Sequence, residues 1–285
     1  MEKIQSALAK ARESRSAVAP SSSAPPPGSV GAAIAAAAAQ GPSADEARIA
    51  AEWHALRELR IDPEALSRAH VVTAMGGRDS APFDVMRTKM LHQMRSNGWR
   101  RVAITSPGPG CGKSTIALNL AFSLARQPDL RILVAEADLH RPTLARTLGI
   151  RAQSGVAEVL QGAADPGDVA CRHGSNLAFL TSPGSRRSPA ELFQAPRTAE
   201  VLDALEARFD PTLTIFDLPP MMIGDDVMSF AGHVDCVLLI AAAEATTIAQ
   251  LDACERELAT RTNVLGIVLN KCRYLGNEQG YGYYG

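Results

Sequence analysis

The segment Gly108-Pro109-Gly110-Cys111-Gly112-Lys113-Ser114-Thr115 has the composition of a phosphate-holding loop. Its glycines let backbone N–H groups approach phosphate oxygens, and a helix starting at its end adds a positive N-terminal dipole. Lys113 is placed to neutralise the β- and γ-phosphates of ATP, and the Ser114 hydroxyl to ligate Mg²⁺. The strict pattern asks for glycine six residues before the lysine, where this chain has Pro107. Two other segments supply carboxylates. Leu133–Asp138 sets Glu136 and Asp138 two residues apart, so both point one way past an apolar run, with His140 and Arg141 next. Thr214–Pro220, T-I-F-D-L-P-P, closes another run at Asp217. Beside a phosphate loop, Ser114, Glu136, Asp138 and Asp217 are the expected Mg²⁺ ligands, and Lys113, Asp138 and Asp217 the expected catalytic groups. Asp138 is also placed to orient or deprotonate an attacking hydroxyl. Asn270, closing the last apolar run, is expected at the adenine edge, and a thiol inside the loop makes Cys111 a candidate redox gate on nucleotide binding.

Such a set fits ATP hydrolysis as well as phosphoryl transfer, so the acceptor has to come from elsewhere. All four tyrosines, Tyr274, Tyr281, Tyr283 and Tyr284, lie in the last twelve positions of the 285-residue chain. A nucleotide site with a segregated group of phenols points to a kinase that modifies its own tail. Tyr281, Tyr283 and Tyr284 are the expected acceptors; Tyr274 is only four residues past the last predicted strand. From Asn270 to Tyr281 the chain spans roughly 35–40 Å when extended, enough for its own site or a neighbour's.

Several elements must position these residues. Apolar runs predict strands over 101–105, 131–137, 177–181, 212–217, 236–241 and 264–270, each near-continuous, as in parallel strands buried on both faces. Helical patterns fall over 46–60, 82–97, 114–126, 196–208, near 225–231 and over 246–260, with a short extended piece at Val71-Val72-Thr73. The alternation predicts an α/β fold with a doubly wound, mostly parallel sheet and ligands outside its carboxyl edge. Four regions are expected: a helix over 1–16, a linker over 17–44 rich in Ser, Pro and Ala, the nucleotide domain over 45–270, and a flexible tyrosine-rich tail over 271–285.

Charge and cysteine content narrow the partners. Twenty-nine Lys and Arg against 30 Asp and Glu give a net charge of −1, which offers nucleic acid no general attraction. Five scattered cysteines without a C-x-x-C pair fit reduced thiols in a cytoplasmic chain. The one continuous apolar stretch, Val30–Ala39, is half the length of a membrane span, so membrane contact is expected through a partner.

These motifs resemble the bacterial tyrosine autokinases of capsule and exopolysaccharide export, of the cytoplasmic type, over about residues 70–285. The likeness rests on P-G-C-G-K-S at 109–114, the second carboxylate segment at 132–142, I-F-D-L-P-P at 215–220, Met86-Arg87-Thr88, V-L-G-I-V-L-N at 264–270 and the tyrosine tail. The resemblance implies a P-loop NTPase fold of ParA/MinD type and ATP/Mg²⁺-dependent phosphorylation of tail tyrosines. It implies a homo-oligomer, a tyrosine phosphatase, and activation by the cytoplasmic segment of a membrane-embedded polysaccharide co-polymerase that sets chain length. Glu136 stands where that family has aspartate and His140 where it has arginine; its E-x-x-R-x-x-R assembly pattern falls on Ala81, Asp84 and Arg87. The rival readings are a ParA/MinD-type ATPase switch, which would carry a second lysine at the position of Gly108, and an ATP-binding, non-catalytic regulator of export.

Overall fold

A computed structural model of the chain describes residues 43–272. The expected helix over 1–16, all but the end of the linker, and Tyr274, Tyr281, Tyr283 and Tyr284 lie outside the described residues. The chain divides into two units, Met1–Ala47 and Arg48–Gly285. In the first, Ser43 opens a helix with a capping box: its hydroxyl accepts from Glu46 N, and the Glu46 carboxylate accepts from Ser43 N at 2.8 Å.

The second unit is an eight-stranded sheet with helices packed on it. Its strands are β1 (Arg57–Glu58), β2 (Arg101–Thr105), β3 (Ile132–Glu136), β4 (Cys171–His173), β5 (Leu177–Leu180), β6 (Leu213–Asp217), β7 (Cys236–Ala242) and β8 (Asn263–Asn270). They lie in the order β1-β4-β5-β3-β6-β2-β7-β8 and run parallel except for the β4–β5 pair. All six predicted strands are present. Two short ones, β1 and β4, were not expected, because two or three residues at the sheet margin carry no apolar run.

Strands β2, β3, β5, β6 and β7 are buried almost throughout, as their composition predicts. Strand β8 departs from that reading. It is an edge strand with Leu265 buried but Ile267 and Leu269 47% and 61% exposed. The piece Val71–Thr73 also differs: it is not a strand, because Val71 N donates to the Leu66 carbonyl and the next two N–H groups are claimed by one side chain. Asn119 Oδ1 accepts from Val72 N at 2.9 Å and Thr73 N at 3.2 Å, and Asn119 Nδ2 donates to the His70 carbonyl. That ties residues 70–73 to the helix leaving the phosphate loop.

That helix, Lys113–Ala125, is apolar on nearly every side and has ten of its thirteen residues buried. Gly112 caps it in a left-handed conformation, φ 95°, which a side chain rarely adopts. The helix Ala81–Asn97 packs along it. Register brings the functional ends together: Ile104 pairs with Asp217, and Asp217 with Glu136, so β2, β6 and β3 finish side by side. Chain direction across the sheet reverses about β2, between β6 and β7, so the phosphate loop lies where doubly wound sheets open a crevice. Among the described residues no helix is long and apolar enough to cross a membrane.

Candidate active site

At the carboxyl edge of β2, β3 and β6 an open cleft of about 530 Å³ is lined by Pro109, Gly110, Lys113 and Ser114 on one side. Asp138, His140, Arg141 and Thr143 follow from the segment after β3, and Pro219, Pro220, Ile223, Gly224 and Asp226 from the segment after β6. The loop owes its shape to two glycines. Gly110 and Gly112 have φ of 73° and 95°, while no residue from Ser106 to Pro109 is left-handed, so Pro107 sits in the strict pattern's glycine position without strain. Pro107 also tethers the loop, since its carbonyl accepts from Met222 N at 3.1 Å and that of Ser106 from Met221 N at 2.8 Å. With Thr105 Oγ1 donating to the Pro219 carbonyl at 2.6 Å, the loop and the chain after β6 are laced together.

The cleft floor is electrostatically unfinished. Asp217 is 1% exposed, and neither carboxylate oxygen has a hydrogen-bond partner. Burial pushes its pKa up to about 7, against the pull of the Lys113 ammonium and the nearby Ser114 hydroxyl, and the carboxylates of Glu136 and Asp138 push it further. The Ser114 hydroxyl is close enough to draw the pKa down but makes no hydrogen bond of normal geometry. A buried carboxylate left without donors costs stability, and a hydroxyl beside it fits a hard cation with oxygen ligands. Asp217 and Ser114 are the pair this site offers to Mg²⁺.

Glu136 corrects the expectation of a metal ligand. Its side chain is fully buried, and both oxygens are occupied: Oε1 accepts from Thr143 N and from Leu144 N at 2.6 Å, and Oε2 from Ser182 N at 2.9 Å. It closes the start of helix Leu144–Leu148 and draws in the chain after β5. Burial raises its pKa, opposed by those three backbone donors. Among the described residues no group of three or more His, Cys, Asp or Glu side chains is placed to hold a metal ion, although Glu136 and Asp138 lie near enough to Asp217 to raise its pKa.

Asp138 does reach the cleft. It is 8% exposed, and its Oδ1 accepts from Arg141 N at 3.0 Å, which turns the segment back over the opening. Other expected residues lie beside the cleft without lining it. The Gly108 carbonyl accepts from Ser106 Oγ and from the Cys111 thiol, which is buried. Thr115 Oγ1 reaches the Ala69 carbonyl at 3.5 Å. Asn270 Nδ2 donates to the Cys111 carbonyl at 2.8 Å, and a Cβ on Gly112 would collide with that nitrogen. Its amide therefore braces the loop, where an adenine contact was expected. Ile223, Gly224 and Asp226 were not anticipated; the Asp225-Asp226 pair just past the Asp217 segment was the only trace of them.

Comparison with known proteins decides the family. Residues 99–283 match the ParA family, described as the NUBPL iron-transfer P-loop NTPase. The tyrosine-protein kinase YwqD of Bacillus subtilis is 30% identical over 209 residues, 73% of this chain and 86% of that protein. The chain belongs to the bacterial tyrosine-kinase family of ParA-type P-loop NTPases. Another member, EpsB of Ralstonia nicotianae, is 28% identical over 199 residues, 69% of this chain but 26% of its own length, so the match spans about a quarter of that relative. Among solved structures, the VpsO kinase domain shares 29% identity with a TM-score of 0.60, covering 68% of this chain and 96% of that one. The doubly wound fold and the phosphate loop are thus those of tyrosine-kinase domains.

Proposed function

We propose that this chain is an ATP- and Mg²⁺-dependent protein-tyrosine autokinase whose acceptors are Tyr281, Tyr283 and Tyr284, and that it regulates exopolysaccharide polymerisation or export. The observation that carries the reading is the unpartnered Asp217 carboxylate buried beside Lys113 and Ser114, opposite Asp138. That is a donor set waiting for a cation and an anionic chain of phosphates.

The residues divide the work. The backbone of Gly108–Thr115 and the helix dipole cradle the phosphates, and Lys113 offsets charge on the transferred group. When bound, Mg²⁺ would supply charge neutralisation between phosphate oxygens, held by Ser114 and Asp217. Asp138 faces the opposite wall, where it orients the phenol and accepts its proton as the oxygen bonds to the γ-phosphorus and the bond to the bridging oxygen breaks, releasing ADP. Phosphorylation then adds about −1.5 to −2 charges per tyrosine, which repel the acidic floor and release the tail. In the cell the protein would be cytoplasmic and peripheral at the inner membrane, assembling with copies of itself. A membrane-embedded polysaccharide co-polymerase would activate it and a tyrosine phosphatase reset it.

Mass spectrometry after incubation with ATP and Mg²⁺ tests the reading. Wild type should gain phosphate on residues 281–284 and Lys113→Met should not; equal labelling of the two, or no labelling of wild type, overturns it.

A further inference from the structure

Across the cleft from the phosphate loop, one polar side-chain contact bridges the segments after β3 and β6, whose apolar side chains share the core beneath. His140 Nε2 lies 3.0 Å from Asp226 Oδ2. The two partners differ in character: the His140 side chain is 43% exposed on the segment after β3, whereas that of Asp226 is 5% exposed at the start of helix Asp226–Phe230. That short helix is held rigidly. Phe230 meets Phe193 edge to face and Phe216 at a tilt, both with ring centroids 4.9 Å apart, Gln194 Nε2 donates to Ser229 Oγ at 2.7 Å, and His233 Nε2 meets the Phe193 carbonyl at 2.7 Å. Burial prevails and raises the Asp226 pKa, although the Ala190 N–H, in the helix Pro189–Gln194, lies near enough to draw it down. One buried carboxylate therefore ties the chain after β3 to the chain after β6.

The segment after β3 carries Asp138 and Arg141 into the cleft. Its backbone is fixed at the ends, by Glu136 on Thr143 and Leu144 and by Asp138 on Arg141, and its middle by Arg186 N on the Leu139 carbonyl at 2.8 Å. None of these bonds sets its distance from Pro220, Ile223 and Gly224, the apolar part of the facing wall. The His140–Asp226 contact does. Resting on the kinase reading, we propose that Asp226 is a positioning residue for the acceptor side: through His140 it fixes the width of the slot between Asp138 and Ile223 into which the phenol enters. The phosphate-binding wall does not depend on it.

The test uses the full chain as wild type, Asp226→Ala, His140→Ala, the double variant and His140→Arg, with a peptide copying residues 277–285 as acceptor. Either alanine variant should lower kcat/KM for the peptide by about tenfold, since small misplacement of a reacting pair is costly. The double variant should be no worse than the poorer single one, as expected of one shared contact. His140→Arg, which keeps an N–H donor against Asp226, should stay within about threefold of wild type, and the Kd for ATP with Mg²⁺ within about twofold throughout. Additive losses, or an equal loss of ATP affinity, overturn the proposal. Because His140 is half-exposed, its variant keeps the test open if Asp226→Ala does not fold. Hydrogen exchange separates this inference from the kinase reading. Amides of residues 139–146 should exchange at least about tenfold faster in either alanine variant, whether or not the wild type phosphorylates anything. Unchanged exchange removes the clasp, and faster exchange with unchanged kcat/KM removes its acceptor role.

Discussion

Asp217 is where stability and function pull apart. With the carboxyl moved from 3.8 to about 7 by burial, carrying it charged costs folding up to about 4 kcal/mol. The folded state holds this proton more tightly than the unfolded chain, so the contribution is fully present below about pH 4 and is lost as pH rises through 7. Asp217→Asn should therefore raise the Tm of the nucleotide-free protein more at pH 8 than at pH 5, read by calorimetry, while abolishing tail phosphorylation. A lower Tm at pH 8 would mean that the carboxylate is satisfied in solution. Glu136 makes the opposite case. Its length lets one carboxylate reach Thr143, Leu144 and Ser182, so Glu136→Asp, one methylene shorter, should strand buried amides at about 1–3 kcal/mol. A denaturant titration reads that loss; unchanged stability would return Glu136 to the role of metal ligand. Lys113, Ser114, Asp138 and Asp217 were legible in sequence because strand ends and loop spacing fix where such side chains sit. The bracing role of Glu136 was not legible, since nothing in the spacing says which distant N–H groups the returning chain will bring to it.

At the scale of elements, the phosphate loop depends on a neighbour from the far end of the chain. Gly112→Ala meets two penalties, a left-handed φ of 95° and a collision with the Asn270 amide. Adding Asn270→Ala should relieve the collision only, so the double variant should recover part of the lost stability and keep a residual cost of about 1 kcal/mol from backbone strain. Full recovery in thermal melts would show the strain to be negligible. The six long strands and the major helices were readable because sustained apolar periodicity commits a segment before any partner is known. Where a partner's side chain decides, reading failed: Val72 and Thr73 bind Asn119 and join no strand, and β8 is apolar yet an edge. Helix Leu144–Leu148, only five residues long, owes its start to Glu136 and leaves no period to detect.

For the whole molecule, the helix Ala81–Asn97 bears on assembly. Asp84 and Arg87, at positions the family resemblance links to ring formation, are engaged inside the chain. Asp84 accepts from Ser123 Oγ at 2.7 Å and pairs with Arg126, and Arg87 donates to the Ser123 carbonyl at 2.9 Å. Burial raises the Asp84 pKa, but the hydrogen bonds from Arg126 and Ser123 and the charges of Arg126 and Arg87 prevail and lower it. A depressed folded pKa gives stability that is present above the unfolded value near 4 and lost as pH falls through the folded one. Asp84→Asn should thus lower Tm at pH 7, with the difference shrinking toward pH 3. Sedimentation at pH 7 should find its state of assembly the same as that of wild type; a shift to smaller species would restore Asp84 to an interface. The Asn270 brace carries a mechanical consequence. The chain leaves the sheet at the very residue whose amide steadies the phosphate loop, so a pull on anything beyond Lys271 is delivered to the loop within a few ångströms of its anchor. The same residue's carbonyl accepts from Ala243 N at 2.9 Å, so any such load is shared between the sheet edge and the loop: Asn270 is a rivet through both.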